Sequence, residues 1–273
     1  MGPEDHVGML LGQHTPVVDR YAPELLFPIP RDQGRRNIGL TGQPPFYGGD
    51  LWHAYELSWL DAGGKPLARV GRLYIPASSP NMVESKSLKL YLNSLNNTCF
   101  DSEGDFAHTV GTDVSAVVGE QVELELLDSC APQLAGATLP GQCLDALDLI
   151  PTHSRPSAEL LETGAVTGEQ QLFSHLLRSL CPVTGQPDWA TVWLHYRGPR
   201  IEPESLLRYI IAYRRHQEFH EQCIERMFSD IYMRCAPDIL HIQGFYVRRG
   251  GLDINPFRST DPRARPLPRL DRQ

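Results

Sequence analysis

The stretch VESKSLKLYLNSL, residues 83–95, turns the chain from strand to helix. Leu88, Leu92 and Leu95 recur at a helical period with Tyr91 beside them, which gives the segment one apolar face. Glu84, Ser85 and Lys86 then occupy its first turn, where outward-pointing backbone N–H groups favour anions. Upstream, LWHAYELSWL (51–60) and ARVGRLYI (68–75) alternate as strands, and Asp61-Ala62-Gly63-Gly64 supplies a hairpin turn between them. The breaker PASSP, 76–80, separates that pair from the helix. Downstream, a second helix is predicted over 103–117 and a strand, QVELELL, over 121–127. The unit is a hairpin, two helices and a strand.

The same order returns in the second half. Strands are predicted over 170–180 and 189–196, and a helix opens at Glu202-Pro203-Glu204-Ser205 with Leu206, Leu207, Tyr209 and Ile210. A further helix over 218–233 places Ile224, Met227, Phe228 and Ile231 inward, and 240–248 closes as a strand. Glu204-Ser205 with Leu207 and Tyr209 echoes Glu84-Ser85 with Leu88 and Tyr91, so duplication of one unit is the economical reading. Between the halves, 129–165 holds Pro132, Gly136, Pro140, Gly141, Pro151 and Pro156, a connector composition. The expected organisation is an N-terminal arm over 1–48, a first module over 49–150 and a second over 151–273. Pro28, Pro30, Pro44 and Pro45 make the arm read as extended.

Composition narrows the function classes. A net charge of -8 and a pI near 5.7 give no global basic footprint for nucleic acid. Six cysteines without a C-x-x-C fit reduced thiols better than a zinc ribbon or a secreted disulfide framework. The acidic start, Met1 to His6, has no signal-peptide run, and no window reaches the length of a membrane span. A cytoplasmic protein is expected. No G-x-G-x-x-G follows a strand, which argues against a Rossmann site.

Four groups carry candidate chemistry. Cys181, flanked by Pro182, Gly185 and Pro187, belongs on a shaped loop as a reactive thiol or else in the core as a buried one. Asp188, seven residues on, would raise a neighbouring thiol pKa by its charge, so its better role is proton transfer to a group bound beside Cys181; the bland reading is a turn residue. His220-Glu221 suits a metal half-site, a purine clamp or a solvated helix start. H-E-x-x-H is not completed, because Ile224 takes the last position, and zinc is disfavoured. A lone carboxylate also accepts two parallel bonds from an amidine-like edge such as guanine's. Lys86 and Lys89, and Arg248-Arg249-Gly250-Gly251 with Arg258 beyond, read either as phosphate contacts or as exposed surface.

Taken together these residues resemble a known family. Glu84-Ser85-Lys86-Ser87-Leu88-Lys89-Leu90-Tyr91 matches in full the E-S-K-S-h-K-L-Y signature of the 7-cyano-7-deazaguanine reductases, the NADPH-dependent nitrile reductases of queuosine biosynthesis. The Cys181 loop with Asp188 and the later His220-Glu221 match its other landmarks, in the order of its two-module subfamily. The resemblance implies an α+β chain of tandem tunnelling-fold modules, with antiparallel sheets backed by helices, assembling as a homodimer into a barrel with sites at module interfaces.

It also implies roles. Cys181 attacks the nitrile carbon of 7-cyano-7-deazaguanine to form a thioimide, Asp188 protonates nitrogen, and His220 assists. Val83, Glu84, Ser85, His220 and Glu221 contact the base. Ser85, Lys86, Arg249 and Gly250 contact NADPH, used twice, with no metal. Cys223, two residues past Glu221, carries a separate hypothesis that rests on both residues flanking one pocket and not on the resemblance: a disulfide with Cys181 that protects the nucleophile from over-oxidation. No direct nucleic-acid or membrane partner is implied. Two alternatives stay open: a zinc-dependent, cyclohydrolase-like enzyme of the same fold acting on GTP or a pterin precursor, for which Cys99 and His108 are a weak ligand pair, and a non-catalytic purine-binding module.

Overall fold

A computed structural model describes residues 18–151 and 155–273. The chain divides into two compact units. The first comprises Met1–Gly34, Asp50–Ala135 and Arg248–Ile254; the second comprises Arg35–Gly49, Gly136–Val247 and Asn255–Gln273.

In chain order the elements are β1 (Pro28–Pro30), α1 (Arg31–Asn37), β2 (Tyr47–Leu60), β3 (Pro66–Pro76), β4 (Asn81–Val83), α2 (Ser85–Ser94), α3 (Glu103–Val118) and β5 (Leu124–Leu127). Then follow β6 (Gln142–Cys143), β7 (Thr163–Leu180), β8 (Pro187–Ile201), α4 (Pro203–Ala212), α5 (His220–Cys235), β9 (Ile239–Tyr246) and β10 (Leu252–Ser259). The class is α+β, with mostly antiparallel pairs and one parallel pair, β6 with β7. Each half contains the expected succession of hairpin, two helices and strand.

In the first unit the β2–β3 turn is shaped by Asp61. Its Oδ1 accepts from the backbone N–H groups of Gly63 and Lys65, both at 2.9 Å, and Gly64 takes a left-handed φ of 84°. β5 pairs with β3 from Val70↔Leu127 to Leu73↔Leu124. Helix α3 buries Phe106, Val110, Val114 and Val118, one side chain per turn. It starts where Ser102 Oγ accepts from the Asp105 N–H and stops at Gly119 in the left-handed conformation. The Phe106 ring stacks on Trp59 at 4.0 Å between centroids, and Leu88, Tyr91, Leu92 and Leu95 from the α2 region fill the same core. A Cβ at Gly111 would lie 2.9 Å from the Val122 carbonyl oxygen, so glycine permits the close approach of α3 to the segment leading into β5.

The described part of the arm, 18–48, is more structured than its prolines suggest. β1 pairs with β4, because the bonds that join them fall outside Pro28 and Pro30: Glu84 N–H donates to the Phe27 carbonyl and Arg31 N–H to the Pro80 carbonyl. The two prolines present their donorless nitrogens away from β4. Pro30 then ends the strand, and α1 forms directly after it. Residues 1–17 of the arm lie outside the described residues.

In the second unit β7 and β8 form a long antiparallel pair from Thr163↔Ile201 to Leu180↔Pro187, β8 pairs with β9, and Phe257–Ser259 of β10 pairs with β9. β7 begins seven residues earlier than the sequence pattern indicates. Thr163 to Glu169 (TGAVTGE) has little strand signal of its own and is extended by pairing along β8. α4 opens with Pro203 in its first turn, where a missing N–H costs nothing. α5 ends at Ala236, left-handed at φ 45°, just before Pro237.

The buried face of α5 carries Glu225 as well as apolar side chains. Glu225 accepts from Arg35 at 2.8 and 2.9 Å and from Arg258 at 2.8 and 3.2 Å, all three residues being buried. Arg258 therefore serves the interior of this unit, not an exposed anion site. It sits on β10, a strand with no counterpart in the sequence reading, since Pro256 in its middle argues against a strand there.

Candidate active site

The Cys181 loop is built by the β7–β8 hairpin of the second unit. β7 ends at Leu180, Cys181 follows, and Pro187 opens β8. Cys181 N–H donates to the Gln186 carbonyl and Gly185 N–H donates to the Cys181 carbonyl, both at 2.9 Å, with Gly185 at φ 69°. The loop is thus tied across its base by the backbone of Cys181 itself. A second segment runs beside it: Leu180 N–H donates to the His216 carbonyl at 2.8 Å and Glu218 N–H to the Leu180 carbonyl at 3.2 Å. Cys181 is fully buried, so the thiol meets no bulk water.

Asp188 is the second residue of β8 and stands opposite Ser179 in the ladder. His220 is the first residue of α5. Its Nε2 lies 3.2 Å from Asp188 Oδ2, with both side chains buried. The imidazole stacks on Tyr246 of β9, 3.9 Å between centroids and 12° from parallel, which fixes the ring plane. The 3.2 Å contact sets the carboxylate beside the imidazole, with no hydrogen bond between these two atoms. Glu221, next on the helix, is also buried.

Cys223 lies one residue beyond Gln222 on the same helix and is buried. Burial first, and the Glu218 carboxylate second, push its thiol well above the usual range, while hydrogen bonding with Ser179 and Tyr246 works the other way. Neither Cys181 nor Cys223 is in a disulfide. Glu218 is held below the ordinary carboxylate range. Burial alone would raise it, but hydrogen bonds from His216 and Arg226, together with their charges, more than reverse that effect. Ser179, Tyr246 and Glu218 escape a sequence reading: no local motif marks them, and ladder register or helix packing brings them in.

The first unit holds the signature residues. Glu84 caps α2, its Oε1 accepting from Lys86 N–H at 2.8 Å and its Oε2 from Ser87 N–H at 2.7 Å. Burial raises its pKa, opposed by those two bonds and by the charges of Arg249 and Lys86. Val83 is buried at the end of β4, whereas Ser85 and Lys86 are half-buried.

Arg249 is positioned by a tight turn in which it exchanges backbone bonds with Leu252, at 3.0 and 3.2 Å, around Gly250 and Gly251. Both glycines have positive φ, 62° and 79°, and a Cβ on Gly251 would run into the Glu56 side chain. Arg248, by contrast, lies over the Tyr55 ring at 3.8 Å. Val83, Glu84, Ser85, Lys86, Arg249 and Gly250 thus belong to the first unit, and Cys181, Asp188, His220 and Glu221 to the second. Two half-exposed cations beside a glycine turn and a helix start suit the phosphates of a dinucleotide. Among the described residues, Cys99 and His108 enter no group of three potential metal ligands.

A model described as nitrile reductase, 7-cyano-7-deazaguanine-reductase N-term, matches residues 17–126, and one described as QueF-like protein matches 187–265. The class they define is the nitrile reductases. NADPH-dependent 7-cyano-7-deazaguanine reductase of Dechloromonas aromatica (strain RCB) is 51% identical over 259 residues, 94% of this chain and 92% of that protein. The enzyme of the same name from Chromohalobacter salexigens is 48% identical over 265 residues, 96% of each. That of Coxiella burnetii (strain Dugway 5J108-111) is 50% identical over 255 residues, 92% of this chain and 91% of that one. The chain belongs to the NADPH-dependent 7-cyano-7-deazaguanine reductase family. A solved chain, the archaeosine synthase QueF-Like in the apo form, is similar at TM-score 0.29 and 14% identity, covering 34% of this chain and 90% of that one.

Proposed function

We propose that this protein reduces the nitrile of 7-cyano-7-deazaguanine to the aminomethyl group with NADPH, as a step of queuosine biosynthesis. Identity near half over nearly the whole chain to reductases of that name supports the reading. The single structural observation that carries it is the buried Asp188–His220 pair, the carboxylate on the second residue of the strand that leaves the Cys181 loop and the imidazole on the first residue of α5.

The chemistry proceeds on the chain's own groups. Cys181 gives its S–H proton to the Asp188–His220 pair, Sγ bonds to the nitrile carbon, the C≡N bond becomes C=N, and Asp188 delivers a proton to nitrogen, giving a thioimide. His220, held flat against Tyr246, positions Asp188 and returns its proton. Burial of all three excludes water, which protects the thioimide from hydrolysis. NADPH supplies two hydrides in succession; with two further protons these complete the four-electron reduction, and the C–S bond breaks to free the thiol. Glu221 and Glu84, with Val83 and Ser85, contact the purine. Ser85, Lys86, Arg249 and Gly250 hold the dinucleotide phosphates.

The finer architecture is proposed with the activity. Each unit is a tunnelling-fold module, copies assemble as a homodimer into a barrel, and the enzyme acts in the cytoplasm. The hairpin, two helices and strand of each unit support the first point. Among the described residues no helix is long and apolar enough to cross a membrane. Similarity along the whole chain favours the reductase over a zinc-dependent hydrolase or a non-catalytic purine-binding module. The test is NADPH oxidation dependent on the nitrile base, with two NADPH consumed per base reduced; an absence of base-dependent oxidation overturns the reading.

A further inference from the structure

The second unit carries a cluster that the reductive chemistry does not use. Cys143 of β6, Asp145 two residues later and His175 of β7 bring a thiol sulfur, a carboxylate oxygen and an imidazole nitrogen within 4.8 Å of one another. Backbone pairing explains how they meet. β6 runs parallel to β7 with Cys143 opposite Phe173, and Leu144 N–H donates to the Phe173 carbonyl at 2.9 Å. That bond carries the chain past the end of β6 along β7, so Cys143 and the turn residue Asp145 come beside His175, two residues beyond Phe173. The register of β7 against β8 shifts between Ser174 and Leu177, an irregularity of the kind that re-aims a side chain.

We propose that Cys143, Asp145 and His175 bind a divalent transition-metal ion, zinc by preference. The donor set is one sulfur, one nitrogen and one oxygen, the ligand types zinc takes, with a fourth position left for water. Tetrahedral zinc at its usual bond lengths separates ligand atoms by about 3.3–3.8 Å, inside the 4.8 Å spread of the cluster.

The surrounding contacts orient two of the three ligands. His175 Nδ1 is 2.8 Å from Thr191 Oγ1, a buried hydroxyl; when Nδ1 carries the proton, Nε2 presents its lone pair. Asp145 Oδ1 accepts from Ser174 Oγ at 2.6 Å, and the His175 N–H lies 3.2 Å from both carboxylate oxygens, which fixes the carboxylate and leaves lone pairs on Oδ2. A metal here fastens β6, only two residues long, to β7. Binding releases the thiol proton.

The test uses the full chain, stripped with chelator, equilibrated with Zn²⁺ and dialysed against metal-free buffer. About one zinc per chain is expected by elemental analysis. Cys143→Ser and His175→Gln should each abolish retention, Thr191→Val should weaken it by about 10–100-fold, and Cys99→Ser and Cys130→Ser should leave it unchanged. Co²⁺ in place of zinc should give a thiolate charge-transfer band that vanishes in Cys143→Ser. Circular dichroism confirms that each variant is folded; if one is not, Asp145→Asn replaces it. Retention far below one equivalent in the wild type, retention indifferent to the Cys143 and His175 changes, or a cobalt spectrum without the thiolate band overturns the assignment.

Discussion

Asp188 and His220 form a buried pair, Oδ2 to Nε2 at 3.2 Å, in which the carboxylate comes from the start of a strand and the imidazole from the start of a helix. Thirty-two residues separate them in sequence. Because the ring also stacks on Tyr246, its plane is fixed where it meets the carboxylate. Asp188→Asn should lower kcat by about 10²–10⁴-fold, the usual worth of a positioned proton donor. His220→Ala should cost a comparable factor, and the double variant little more than either alone, because residues acting as a unit are non-additive. Steady-state kinetics on the three variants checks this; additive losses contradict it.

A second prediction concerns the first unit. Lys86→Ala and Arg249→Ala should each raise the KM for NADPH about tenfold, the equivalent of ~1.4 kcal/mol, with little change in covalent capture of the base. Kinetics with NADPH varied at saturating base measures it. An unchanged KM for NADPH with a raised KM for the base would move these cations to the other ligand.

Glu225 supplies a stability prediction. It lies between Arg35 and Arg258 with all three buried, so Glu225→Ala leaves two guanidinium groups without that carboxylate. A loss of about 3–5 kcal/mol is expected, since removing one partner strands buried charge. Denaturant unfolding of the variant against wild type decides; a loss under about 1 kcal/mol contradicts the arrangement.

Glu218 makes a pH-dependent contribution. Its folded pKa lies below the ordinary 4.5, so its stabilisation is fully present above that pH and is lost as pH falls through the folded value. Glu218→Gln should be less stable than wild type near pH 7, and the gap should narrow progressively below pH 4.5. Melting temperatures of both proteins between pH 3 and 7 test the sign. A gap that widens on acidification contradicts it.

Much of this fold is legible because apolar spacing does the work locally. Leu88, Leu92 and Leu95 mark one helix, Ile224, Met227, Phe228 and Ile231 another, and Asp61 with its glycines marks the hairpin turn. What is hidden depends on partners distant in sequence. Pro256 reads as a strand breaker, yet β10 forms, with its Phe257–Ser259 stretch pairing with β9. Pro28 and Pro30 read as an extended arm, yet their missing donors point away from β4. The same division holds at the site. Cys181, Asp188 and His220 stand out by residue type and spacing, whereas Tyr246 beneath His220 and Ser179 opposite Asp188 are set by strand register. Arg258, read beside a basic turn, is committed to Glu225 in the interior.

The central claim is a bond between Cys181 sulfur and the nitrile carbon, and intact mass spectrometry of protein incubated with 7-cyano-7-deazaguanine and no NADPH measures it most directly. The expected result is a mass gain of one base per chain, mapping to the peptide that contains Cys181 and absent in Cys181→Ala. No gain in the wild type, or the same gain in the variant, would contradict it.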